Sequence, residues 1–311
     1  MRPAFLTLAA TAGILGATTA HAQTLELGLS YGTHPFSANL ALTNFVILEQ
    51  PELSLEAAVS TTRVQAGATF GTEFATIGRA SLTARFAVAY QGGVRFEALA
   101  RGAIGPVSLE VALAAWSAPL PVFDWSAPYA YTPEPLSNGG SYFGVQGTYR
   151  LNRTLFVTAA TRFGSDQTRL SLRLENRAGM LTYGGGLLLA WQSNGLTYGL
   201  NAFLRWSPED SPFSLETQAF VGVNEPVGFG FGGAGLSLTY TLEELGFINA
   251  YVNYEIWRLD VLPFRAGLRG EFNLGPGAMI VQGYGGADLN WVLSGGARIA
   301  YRLDLGALLN P

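Results

Sequence analysis

Residues Thr168–Arg177, with the sequence TRLSLRLENR, alternate between two kinds of side chain. Leu170, Leu172 and Leu174 occupy every second position, and mainly arginine, serine and glutamate fill the gaps. Because successive side chains of a β-strand point to opposite faces, one face of this segment is apolar and the other is charged. Such a strand separates two unlike environments, as it would in a soluble sheet or in a membrane barrel.

The same alternation continues to the end of the chain, in segments separated by turns rich in Gly, Pro, Asn and Ser. Beyond the N-terminus there is no apolar run of about 18 residues, which excludes a helical membrane protein. Only 13% of the residues are charged, about half the usual share of soluble domains. The pattern predicts an all-β, antiparallel, up-and-down transmembrane β-barrel of about 16–18 strands, with 14 possible, since such barrels have even counts.

Residues 1–22 have the features of a secretory signal peptide, and residues 23–311 are predicted to form a single barrel domain. Arg2 is the only charged residue before Glu26, and small and apolar residues fill positions 4–20. The tripeptide Ala20-His21-Ala22 fits the small-x-small pattern of a cleavage site. Export together with the barrel pattern predicts the bacterial outer membrane as the location.

Two glycine-containing turns mark predicted hairpins. Gly92-Gly93 separates two long alternating segments, and Ser294-Gly295-Gly296 is predicted to turn the chain from residues 278–293 into a last strand at residues 297–305. The glycine runs Gly184–Gly186 and 228–235 lack a following helix or lysine. They are predicted to be strand glycines that permit bends or bulges, and not phosphate-binding loops.

Most of the arginines, and many of the acids, lie on the strand face opposite the leucines. An arginine on the lipid face costs roughly 2–4 kcal/mol at the midplane, so a bilayer would enforce this segregation. Mixed charges inside a barrel fit a hydrated lumen, or a lumen closed by ion pairs. The predicted pore-lining residues are Arg85, Arg95, Glu97, Glu110, Arg162, Arg169, Arg173, Glu175, Arg205, Glu216, Arg265, Arg269, Glu271, Arg298 and Arg302.

Aromatic residues gather near the predicted strand ends. At the headgroup level amphipathic rings form girdles around membrane barrels, although aromatic residues also favour strands in general. The residues concerned are Tyr31, Tyr90, Trp116, Tyr142, Trp191, Trp206, Tyr240, Trp257 and Trp291.

The segment Ser117–Ser141 breaks the alternation. It carries Pro119, Pro121, Pro128, Pro133 and Pro135, which forbid a central strand. It is predicted to be one long loop that follows an odd-numbered strand, and its aromatic residues Trp125, Tyr129 and Tyr131 make it the best candidate contact site. It could constrict the lumen, contact a sugar or partner outside, or pack on its own aromatic rings.

Catalytic and metal sites are not predicted. Cysteine is absent, and His34, in a predicted turn, is the only histidine after residue 22. We therefore expect no enzyme activity, no metal and no cofactor. The formal net charge of −4, with the arginines facing inward, makes nucleic acid a poor partner.

The leader, alternating strands, short turns and aromatic strand ends resemble those of bacterial outer-membrane β-barrel proteins and, in general, those of porin-like channels. Near the end, Ser294, Gly296, Ile299 and Tyr301 resemble the insertion signal of such barrels. The chain departs from their commonest form, because residues 306–311 continue past the last predicted strand.

The resemblance implies a passive channel for small hydrophilic solutes, with the outer-membrane bilayer and those solutes as partners. An alternative is a closed structural or adhesive barrel whose loop at residues 117–141 contacts an external partner. A barrel enzyme acting on lipid or peptide, and a soluble secreted β-sandwich, remain further alternatives.

Overall fold

The computed structural model describes residues 21–31, 36–49, 51–74, 78–90, 92–117, 139–165, 167–192, 195–225, 229–255, 263–288 and 290–305. Within these ranges the chain forms eighteen β-strands and one 3₁₀ helix, Glu243–Leu245. In the described ranges, no helix is long and apolar enough to cross a membrane. Residues 1–20, His34 and the predicted contact residues Trp125, Tyr129 and Tyr131 lie outside them.

The strands are nine to thirteen residues long and follow one another along the chain. Their bounds are β1 His21–Tyr31, β2 Ser37–Glu49, β3 Glu52–Ser60, β4 Arg63–Phe74, β5 Gly78–Ala89, β6 Val94–Ile104, β7 Val107–Trp116, β8 Gly140–Arg150, β9 Leu155–Gly164, β10 Gln167–Ala178, β11 Leu181–Gln192, β12 Gly195–Trp206, β13 Phe213–Asn224, β14 Phe229–Thr241, β15 Gly246–Glu255, β16 Phe264–Leu274, β17 Gly277–Ala287 and β18 Leu293–Asp304.

Each strand pairs antiparallel with the strand before and the strand after it, and the sheet is closed. β1 pairs with β2 on one side and with β18 on the other. Closure leaves no sheet edge, so the strands satisfy one another's backbone hydrogen-bonding groups. The predicted fold class, an all-β antiparallel closed barrel, is confirmed; the strand number, predicted as a range, is eighteen.

The two faces of the barrel differ in the way that the alternation predicts. On β10, Leu170, Leu172 and Leu174 are 41%, 39% and 48% exposed, whereas Arg169, on the other face, is buried. Directly paired residues share a face, so the register carries this division around the barrel. Leu170 is opposite Leu189, and Glu216 of β13 is opposite Arg205 of β12.

The charged face is the interior of the barrel. Arg85 of β5 contacts Glu56 of β3 across β4, and Nη1 of Arg302 in β18 lies 3.2 Å from Oε1 of Glu271 in β16, across β17. Side chains from strands two apart converge on the concave face of a closed sheet and diverge on the convex face. These contacts therefore place the charges inside and the exposed leucines outside.

The two ends of the barrel have different connections. At one end, which we call the short-turn end, pairs of strands are joined by turns such as those at Gly105, Gly179 and Gly275. These glycines have φ of 56°, 57° and 59°, a left-handed conformation that suits tight turns. The opposite end, the long-loop end, carries the connection between β7 and β8, which follows an odd-numbered strand as predicted.

The last hairpin differs from the prediction. Ser294, Gly295 and Gly296 lie inside β18, and the connection from β17 falls earlier, between Ala287 and Leu293. The Asp288 carboxylate accepts hydrogen bonds from the backbone N–H groups of Asn290 and Val292, both at 2.8 Å, and so forms a turn without glycine.

The two glycines that were predicted to form this turn make room for Tyr284 of the neighbouring strand, Gly295 for its carbonyl oxygen and Gly296 for its side chain. A Cβ at Gly296 would lie 2.7 Å from the Tyr284 hydroxyl oxygen. Gly184–Gly186 are strand glycines of β11, as predicted, and their unbroken register with β10 and β12 shows no bulge there.

The aromatic strand ends divide between the two faces. Tyr31, Tyr90, Trp191, Tyr240 and Trp291 are exposed. Trp116 and Tyr142 are paired on the interior face instead, with their ring centroids 6.3 Å apart. Trp257 lies outside the described ranges.

Candidate functional site

The predicted pore-lining residues all lie on the interior face, and most of them meet an opposite charge. When the pairing is followed from strand to strand, the register places all of them on the face that carries Arg85. That they line a conducting pore remains a prediction. Many of their contacts fall into three sectors of the wall.

The first sector joins β3 and β5 across β4. Glu52 contacts Arg79 and Glu56 contacts Arg85, with Nη2 of Arg85 3.1 Å from Oε2 of Glu56. The intervening strand carries glycine at the crossing point, because a Cβ at Gly67 would lie 2.6 Å from Oε1 of Glu56. Neither acid is among the predicted pore-lining residues, although Glu52 and Glu56 alternate with Leu53 and Leu55 in the same way as the predicted ones do with their apolar neighbours.

The second sector spans the junction between the first and last strands. Glu26 of β1 contacts Arg298 and also Arg302, whose Nη2 lies 3.5 Å from Oε2 of Glu26. Arg302 also contacts Glu271, and Nη2 of Arg269 lies 3.6 Å from Oε2 of the same carboxylate. This network ties β16, β18 and β1 together where the barrel closes. Glu26 too was missed as an interior residue.

The third sector, on β8–β13, combines ion pairs with aromatic rings. Glu175 contacts both Arg173 and Arg177, at 3.1 and 2.7 Å. Cation–π contacts accompany them, with guanidinium carbons 3.6, 4.0 and 4.3 Å from ring centroids. These pairs are Arg162 with Tyr142, Arg173 with Phe203 and Arg177 with Phe156.

Comparison with known proteins gives structural neighbours only. No family model matches the chain, and no curated protein matches it. A triple mutant of the porin of Rhodopseudomonas blastica is 10% identical, with 91% of this chain and 98% of that chain covered, and a TM-score of 0.56. OccK11 (OpdR) of Pseudomonas aeruginosa is 11% identical, with coverage of 91% and 94% and a TM-score of 0.58.

The chain has the fold of bacterial porins.

At this level of identity the likeness shows the fold alone. Both neighbours are covered almost completely, so the likeness extends over the whole barrel and not over a single hairpin. The predicted resemblance to porin-like barrels is therefore confirmed, without a specific family.

The interior of this porin-like barrel is exposed to different degrees at its two ends. Near the short-turn end, Arg79, Arg101, Arg177 and Arg205 have side chains that are 56–76% exposed. Water therefore has access to the interior from that end.

Near the long-loop end, the wall of β15–β17 is closely packed. Arg265 and Glu255 are 2% and 0% exposed, with Nη2 and Oε2 3.1 Å apart. Asn253 and Gln282 of the same wall are also buried. This part of the porin-like barrel is therefore a packed polar wall. Its buried ion pair is costly to desolvate, and loss of either partner would leave a buried charge without its counter-ion.

Within the described ranges, no group of three or more His, Asp or Glu side chains could hold a metal ion.

Proposed function

We propose that this chain is a passive channel of the bacterial outer membrane, through which small hydrophilic solutes diffuse. The observation that carries the proposal is the exposure of ion-paired arginines on the interior of a closed barrel whose outer face is apolar. The porin fold supports it. In this proposal residues 1–22 direct export and are removed.

The outer face suits lipid. The three leucines of β10 and many other large apolar side chains are exposed there, as contact with hydrocarbon requires. A water-soluble protein does not expose so large an apolar surface. Here the leucines cover the outside and the arginines lie inside, which is the reverse of its usual arrangement. The soluble β-sandwich of the sequence analysis is excluded by the closed sheet.

The exposed interior charges favour an open channel over a sealed barrel. In a sealed barrel the charged groups would be buried against an opposite charge, as Arg265 and Glu255 are. Arg101 and Arg205 instead keep more than half of their side-chain surface accessible. The closed structural or adhesive barrel is therefore not favoured.

Planar-bilayer recording of the purified mature chain tests this proposal. We expect discrete, voltage-independent conductance steps in potassium chloride, and fractionation should recover the protein with the outer membrane. The same preparation after boiling is the control, because an unfolded chain cannot form a pore. A folded preparation that yields no steps would contradict the channel.

A further inference from the structure

Gly184 of β11 leaves room on the interior wall for an aromatic ring of the next strand. It is directly opposite Phe203 of β12 on one side and Glu175 of β10 on the other. A Cβ at Gly184 would lie 2.8 Å from Cε1 and 2.9 Å from Cζ of Phe203. The Phe203 ring therefore lies across the glycine backbone, toward β10.

Arg173 of β10 covers this ring from the lumen side. Its guanidinium carbon lies over the Phe203 ring, 4.0 Å from the ring centroid. The ring is thus enclosed between the backbone of Gly184 and the guanidinium group. A guanidinium in this position is attracted by the π-electrons of the ring, which holds it against the wall.

Glu175 holds the same guanidinium at one edge. Nη2 of Arg173 donates a hydrogen bond to Oε2 of Glu175 at 3.1 Å, and Oε1 accepts one from Nε of Arg177 at 2.7 Å. One carboxylate therefore joins two arginines and fixes their positions relative to each other. The group of three side chains carries one positive charge in excess.

The other face of the Arg173 guanidinium is open to the lumen. The Arg173 side chain is 47% exposed, whereas Glu175 is 18% exposed. Because Phe203 covers one face and Glu175 bonds one edge, the exposed part includes the opposite face. A flat guanidinium with one face on a ring and the other in the lumen can stack on a second flat π-system.

We propose that Arg173, backed by Phe203, forms a stacking subsite for the flat conjugated ring of an anionic solute such as a nucleoside monophosphate. The inference rests on the proposed channel function for its supply of solutes. The ring of the solute stacks on the exposed guanidinium face, and the excess positive charge favours an anion. Arg177 gives one N–H to Glu175 and is 59% exposed, which leaves further donors for the anionic group.

Titration calorimetry of the full mature chain in detergent tests the subsite without need of conduction. The probes are adenosine monophosphate and ribose phosphate, which share the sugar and the phosphate and differ by the base. We expect adenosine monophosphate to bind about tenfold more tightly, because only its base can stack on the guanidinium.

Two substitutions separate stacking from charge. Arg173→Lys keeps the positive charge and removes the flat guanidinium, so the preference for adenosine monophosphate should fall below about twofold while the binding of ribose phosphate is nearly unchanged. Phe203→Leu removes the ring that holds the guanidinium against the wall. It should lower the preference as well, although its own side chain does not contact the solute.

Arg101→Lys is the matched control. Arg101 is another exposed interior arginine, and its directly paired neighbours are Ser81 and Glu110, neither of which is aromatic. The control variant should therefore keep the preference for adenosine monophosphate.

Gel mobility of the unboiled proteins verifies that each variant folds. Equal affinity for the two probes, absence of saturable binding of adenosine monophosphate, or an equal loss of preference in Arg101→Lys would overturn the subsite. Bilayer recordings separate this result from the channel proposal. Conductance steps without the preference retain the channel and remove the subsite, whereas the preference without steps does the reverse.

Discussion

Glycine and charge are coupled at single positions of the interior wall. Gly67 lies at the point where the Glu56 side chain crosses β4 to reach Arg85, and a methyl group there would also lie 2.9 Å from the carbonyl oxygen of Ala84. By contrast, a Cβ at Gly283 of β17 would meet nothing within 4 Å. A side chain at position 67 is therefore excluded by close contacts, whereas position 283 has room for one.

Replacement of Gly67 by alanine should lower the free energy of unfolding by about 1–3 kcal/mol, because the added carbon overpacks against backbone and displaces the carboxylate. Urea titration of the protein folded into lipid vesicles measures it. Gly283→Ala is the control and should change the value by less than about 0.5 kcal/mol. Equal effects of the two substitutions would contradict the explanation.

The buried pair of Arg265 and Glu255 provides a second test at residue scale. Arg265→Leu alone leaves a buried carboxylate without its guanidinium and should cost about 3–5 kcal/mol. Combining it with Glu255→Leu should recover much of that loss, since no uncompensated charge remains. The same urea titrations give both numbers, and a double variant that is less stable than Arg265→Leu would refute this account.

At the scale of one element, β10 shows how a single strand borders two environments. Its leucines lie outside, and its interior residues include Arg173 and Glu175, which are bonded to each other. Such a strand places its leucines against lipid and its charges in the lumen only in one register, because a slip by one residue exchanges the two faces.

Leu172→Arg should lower the free energy of unfolding in vesicles by about 2–4 kcal/mol, because it places a charge on the lipid face. Ser171→Arg makes the same charge change one residue earlier and on the interior face, where we expect a much smaller loss. If Ser171→Arg proved the more damaging of the two, the assignment of the faces would be reversed.

On the scale of the whole molecule, closure depends on the pairing of β1 with β18. Eight residue pairs of this junction are in register, from Thr24 with Asp304 to Tyr31 with Ala297. Glu26 and Arg302 add an ion pair inside the junction. Because every strand needs two neighbours, the barrel forms as one unit.

The unboiled mature chain should therefore migrate faster in detergent gels than the boiled chain, as a compact barrel does. A chain that ends at residue 292 lacks β18, and it should show a single mobility. Boiled and unboiled samples on one gel make the comparison. A mobility shift in the shortened chain would mean that closure by β18 is not required for the compact state.

The arginines of the interior also set the charge that a permeating ion meets. Arg173→Glu should shift the reversal potential in a salt gradient toward cation selectivity, since it reverses a half-exposed charge of the wall. Arg153→Glu, in the turn after β8, is a control with the same charge change outside the strands. The proposed channel predicts a larger shift for Arg173.

The alternation of Leu170, Leu172 and Leu174 with charged residues determined, by itself, that the chain forms strands and how its side chains divide between two faces. The alternation can be recognised from neighbouring residues alone, because successive side chains of any strand point to opposite faces. The prolines of the segment after β7 likewise marked the break between two strands, which end and begin at Trp116 and Gly140. The last turn was placed wrongly because Gly295 and Gly296 serve to accommodate Tyr284, a contact from the neighbouring strand that no local pattern reveals.

Only the tertiary structure decided the strand number, the closure and the ion pairs. Glu56 meets Arg85 across an intervening strand, and Glu26 meets Arg302 from the opposite end of the chain. Such partners are set by the register and curvature of the closed sheet, which accumulate over all eighteen strands. The sequence could assign most of the arginines to the interior, but the depth, exposure and partner of each depend on the barrel as a whole.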